Sequence, residues 1–75
     1  MKQTLTDIVK AIVDNPDEVV VIEKVSGDTS ILEISVNKED VGKIIGKGGK
    51  IAKSIRTLMK AAAIKEHKRI IVEIL

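Results

Sequence analysis

Residues 41–51 read Val-Gly-Lys-Ile-Ile-Gly-Lys-Gly-Gly-Lys-Ile, a glycine loop set between two amphipathic runs. No other feature restricts the chain as much. Three of the four residues Gly46-Lys47-Gly48-Gly49 lack a Cβ, so the backbone there can approach a bulky partner and take conformations closed to other residues. The loop also opens the second run. If that run is a helix, the loop amides lie at its N-terminus, where unpaired N–H groups and the macrodipole favour anions. Lys43, Lys47, Lys50 and Lys53 surround the loop. Together these residues predict a site for a phosphate chain, and a nucleic-acid backbone is the partner they suggest.

The charge distribution points the same way. The formal net charge is only +2. Residues 1–37 nevertheless carry three Lys and seven Asp or Glu, whereas residues 38–69 carry ten Lys or Arg and three acids. A basic face built from the second half follows. A solvated lysine-rich helix would explain the charge alone; the glycine loop inside the basic segment favours a binding face. The chain has no Cys, so neither a disulfide framework nor a thiolate metal site is available, and no cofactor is implied. His67 stands amid Lys65, Glu66, Lys68 and Arg69 and reads as a solvated turn residue. Asp14, Asp17 and Glu18 flank Pro16, where turn chemistry accounts for them without a metal. A non-enzyme is expected. No uninterrupted apolar run exceeds four residues, and a membrane span needs roughly 20, so no membrane role is expected and a cytoplasmic location is the default.

Seventy-five residues suffice for one small domain, taken as residues 1–75. Leu5, Ile8, Val9, Ile12 and Val13 recur at helical spacing, which predicts a helix over 5–14, with Thr4 and Asp7 resembling a capping box. Asn15-Pro16 should end it. Val19–Val25 and Ile31–Val36 read as strands of an antiparallel hairpin turning at Ser26-Gly27-Asp28-Thr29. A short helix over 39–45 follows, with Val41, Ile44 and Ile45 inward. A longer helix then runs from Lys50 to about Lys65, with Ile51, Ala52, Ile55, Leu58, Met59, Ala62 and Ala63 on one arc. Ile70–Ile74 is a closing strand. The order α-β-β-α-α-β, with a right-handed crossover through two helices, predicts an α+β fold: a three-stranded mixed sheet with three helices packed on one face.

Spacing removes two other identities for the loop. A Walker loop needs four residues between its first Gly and the Gly-Lys, but Gly42 and Gly46 are separated by three, and Gly48 follows Lys47 in place of Ser or Thr. A dinucleotide fingerprint starting at Gly46 needs Gly at position 51, which is Ile, and a strand before the loop. A helix–Gly-x-x-Gly–helix unit remains. The stretch closely resembles the KH signature, whose loop grips about four nucleotides of single-stranded RNA. The element order matches the bacterial, type II arrangement.

Nearly the whole chain, with Ile-Arg-Thr-Leu-Met-Lys-Ala-Ala-Ala at 55–63, is similar to the bacterial KhpA (YlqC) family of small single-domain RNA-binding proteins. That resemblance implies RNA-chaperone-like or post-transcriptional regulatory binding of single-stranded RNA, with single-stranded DNA able to replace it in vitro. It also implies a homodimer, or a heteromer with a larger KH protein of the Jag/KhpB type. On this reading the amides of Lys47–Lys50 and the Lys47 side chain take phosphates, with Lys43, Lys50 and Lys53 flanking them. Gly42 and Gly46 keep the helices close and leave room for the strand, and Ile44, Ile45 and Ile51 floor the groove. Gly48 and Gly49 complete the clamp. The chain has no Phe, Tyr or Trp, so the roughly 1–3 kcal/mol per base available from aromatic stacking is missing, and binding should be weak, unselective and salt-dependent. A competing reading makes the domain a dimerisation module, with Leu58, Met59 and Ala62 at the interface. Another, a KH segment of a larger protein such as the termination factor NusA, is disfavoured by Met1 and by an end on the third strand.

Overall fold

The computed structural model describes all 75 residues. Its helices are α1 (Lys2–Ile12), α2 (Val41–Ile45) and α3 (Lys50–Lys65); its strands are β1 (Val20–Ser26), β2 (Thr29–Ser35) and β3 (Arg69–Ile74). Short 3-10 turns occupy Pro16–Glu18 and Lys47–Gly49. The sheet order is β1-β2-β3, with β1 and β2 antiparallel and β2 and β3 parallel. This is the predicted α-β-β-α-α-β mixed sheet.

Alternation along β2 decides which face is covered. Ser30, Leu32 and Ile34 are buried beneath the helices, whereas Thr29, Ile31, Glu33 and Ser35 turn to the open face. Leu5 and Val9 of α1, Ile44 of α2, Ile55 and Met59 of α3, and Ile70 and Val72 of β3 complete one core. Each such side chain contributes roughly 1.5–3 kcal/mol on burial. The hairpin turns at Gly27 with φ 62, and Ser26 pairs with Thr29. A two-residue turn of this kind needs positive φ at its first central position or at both.

Two expectations change. Thr4 and Asp7 form no capping box: α1 starts at Lys2, no side chain caps it, and Asp7 instead accepts from Gln3 Nε2 at 2.8 Å. Helical hydrogen bonding reaches back to the Met1 carbonyl, which places Thr4 within the first turn. The apolar arc of α3 is also narrower than its sequence suggests. Ala52, Ile55, Met59 and Ala63 are buried, but Leu58 is 55% exposed, because a single sheet covers only one side of the helix. No helix is long and apolar enough to cross a membrane.

Candidate nucleic-acid interface

The loop between α2 and α3 is built on glycine backbone geometry. Gly46 has φ 76 and ψ 172, and a Cβ there would overlap the Ile51 side chain and lie 2.9 Å from the Ile51 backbone nitrogen. Only glycine fits. Gly48 and Gly49 take φ 65 and φ 77 in the left-handed region, but open space surrounds both. Gly42 also faces open space and has no positive φ, so no close helix contact depends on it and room is left beside α2. The close approach belongs to Gly46 alone.

Internal bonding divides the loop amides. The Gly49 N–H donates to the Gly46 carbonyl and the Lys50 N–H to the Lys47 carbonyl. The expected four-amide cradle therefore reduces to Lys47 and Gly48, whose amides have no acceptor within the chain. Lys47, Lys50 and Lys53 are exposed and form no ion pair. Unpartnered cations beside free amides make this a site of positive potential.

Lys43 is placed differently. Its ammonium group bonds Asp14 and lies 3.6 Å from Asp40 Oδ1, so it serves the α1–α2 junction rather than the loop. Of the three expected floor residues, Ile44 is fully buried in the core, because the inward side of the short α2 meets α1 and α3. Ile45 and Ile51, each 39% exposed, remain as apolar surface beside the loop. At the expected dimer interface, Leu58 is exposed and Ala62 half-buried, but Met59 is fully buried against the sheet and cannot reach a partner.

Sequence reasoning missed two residues. Asp40 is fully buried, and its carboxylate accepts from the Asp14 N–H at 3.2 Å, the Asn15 N–H at 3.0 Å and Asn15 Nδ2 at 3.0 Å. It fastens the end of α1 to the start of α2 and so fixes the helix leading into the loop. Its position just before an apolar helical pattern was the only local signal. Arg56 donates from Nε to the Val72 carbonyl at 3.1 Å and bridges α3 to β3. The carboxylates around Pro16 do not converge: Asp14 meets Lys43, Glu18 accepts from Asn37, and no group of three metal-ligating side chains forms. His67 is an exposed turn residue.

Helices α2 and α3 joined through Gly46-Lys47-Gly48-Gly49, on a β1-β2-β3 mixed sheet, define a KH domain of the type II order. The family model described as KhpA/KhpB, KH domain matches residues 2–74, and the chain belongs to that family. It is 57% identical to the RNA-binding protein KhpA of Clostridium acetobutylicum and 52% identical to that of Clostridium perfringens, in each case over 100% of both chains. Identity to the RNA-binding protein KhpA of Listeria monocytogenes is 43%, over 100% of this chain and 99% of the relative.

Proposed function

We propose that the protein binds single-stranded RNA, with the Gly46–Gly49 loop clamping the phosphate backbone. The observation that carries this is the pair of unpartnered amides at Lys47 and Gly48, set among the unpaired ammonium groups of Lys47, Lys50 and Lys53. The names of the relatives, RNA-binding protein KhpA, support the same partner. Ile45 and Ile51 offer bases an apolar surface, and without aromatic stacking the grip is sequence-tolerant. Such binding suits a cytoplasmic RNA chaperone or post-transcriptional regulator, and single-stranded DNA serves as an in vitro substitute.

The test replaces Lys47 and Gly48 together by aspartate. Space around Gly48 is open, so the cost there is roughly the 1–2 kcal/mol of a left-handed non-glycine residue. Circular dichroism should keep its native form while fluorescence anisotropy with a short single-stranded RNA shows binding lost. Undiminished affinity in the double variant would falsify the clamp.

One observation favours an additional role in self-association. Ser54, Thr57, Leu58 and Ala61 form an exposed, uncharged strip on the outer side of α3, which suits close packing against a second copy or a larger KhpB-type KH protein. Leu58, with Ala62 at its margin, is then the central contact. Sedimentation showing only monomer at high protein concentration removes the homodimer.

A further inference from the structure

At the end of α3 farthest from the glycine loop lies a hollow of about 380 Å³, between α3 and the start of β3. Lys60, Lys68 and Arg69 line it together with Ala63 and Ile64 of α3 and the Ile70–Ile71 edge of β3, and no acidic residue contributes to its wall. None of its three cations forms an ion pair. Lys60 lies ten residues beyond Lys50, about 15 Å along the helix, so the hollow and the loop cannot hold the same phosphate.

Backbone polarity supplies a further recognition element. The Arg69 N–H donates to the Asp28 carbonyl and the Leu75 N–H to the Ile34 carbonyl. Strand alternation therefore turns the odd-numbered residues of β3 towards β2 and presents the N–H and C=O groups of Ile70, Val72 and Ile74 at the free edge. Arg56 covers the Val72 carbonyl and divides this edge in two. Ile74 lies on the side of the glycine loop, whereas Ile70 lies in the hollow.

We infer that the hollow is a second nucleotide subsite, which takes the continuation of the RNA strand whose backbone is held at Gly46–Gly49. Lys60, Lys68 and Arg69 meet its phosphates, Ile64 supports a base, and the Ile70 edge offers that base one donor and one acceptor. Charge complementarity selects a polyanion over an acidic-poor protein segment, and the shared α3–β3 flank selects the same strand over a separate ligand. This inference rests on the RNA reading of the glycine loop.

The experiment compares oligouridylates of four and eight nucleotides by fluorescence anisotropy. It uses the wild-type chain, the Lys47→Asp/Gly48→Asp variant and a Lys60→Ala/Lys68→Ala/Arg69→Ala variant. The hollow variant should bind the four-mer as the wild type does. Its gain in affinity from four-mer to eight-mer should shrink by about fivefold or more, the effect of losing at least one phosphate contact near 0.1 M salt. An unchanged gain, or four-mer and eight-mer affinities that fall in parallel, overturns the subsite and leaves the clamp standing. Failure of the wild type to bind either length overturns the RNA reading and the subsite together.

Discussion

Individual residues fix the entry to the glycine loop, and they do so by different physics. Gly46 combines a backbone conformation nearly closed to other residues with overlap of any Cβ on Ile51. Gly46→Ala should therefore destabilise the fold by about 3 kcal/mol, from strain plus displacement of Ile51. Gly48→Ala, with open space around it, should cost only about 1–2 kcal/mol. Urea unfolding midpoints of the two variants should separate in that order. Asp40→Ala removes the acceptor for three donors, two of them backbone amides. Hydrogen bonds to a charged group contribute roughly 1.5–3 kcal/mol each, and donors left dry cost more than donors left wet. A loss of about 3 kcal/mol is expected, a large share of the roughly 4–11 kcal/mol available to a domain of this size. Gly46 was legible in the sequence because its spacing within the motif is local. Asp40 was not, since its partners lie 25 and 26 positions away and a polar residue beside Glu39 carries no sign of burial.

At the level of elements, hydrophobic periodicity located every helix and strand, and the crossover rule placed β3 beside β2 in parallel. Periodicity cannot report how much of a helix is covered. The arc drawn on α3 included Leu58 because seven apolar residues share a side, but only a sheet-width strip of it meets the core. The end of α3 shows a further element-level device. The Lys68 N–H donates to the Ala63 carbonyl and the His67 N–H to the Ile64 carbonyl, the paired bonds of a Schellman cap, with His67 at φ 57 where glycine is usual. A non-glycine residue in that conformation costs roughly 1–2 kcal/mol, only part of which is offset by the greater freedom of glycine in the unfolded chain. His67→Gly should raise stability by about 1 kcal/mol, seen as an increase of about 4–8 °C in Tm in a thermal melt.

Across the whole molecule, the acidic first half and the basic second half meet at one junction, and that meeting decides which lysines are available to a polyanion. Asp14 and Asp40 flank Lys43, whereas Lys47, Lys50 and Lys53 face no acid. The sequence showed an excess of basic charge around the loop but not this internal pairing, because Asp14 reaches Lys43 only after α1 has packed beside α2. An exposed ion pair such as Lys43–Asp14 contributes at most about 1 kcal/mol, so that pair matters less for stability than for where charge remains free. Salt dependence measures that directly. For a short single strand, the slope of log affinity against log salt is about −0.7 per phosphate neutralised. Three free lysines at the loop give the wild type a slope of about −2 with a four-nucleotide RNA. Lys53→Ala should reduce its magnitude by about 0.7, and Lys43→Ala should leave it unchanged. Equal losses in the two variants would mean that RNA draws Lys43 away from Asp14, making the acidic half of the chain a competitor for the site rather than a bystander.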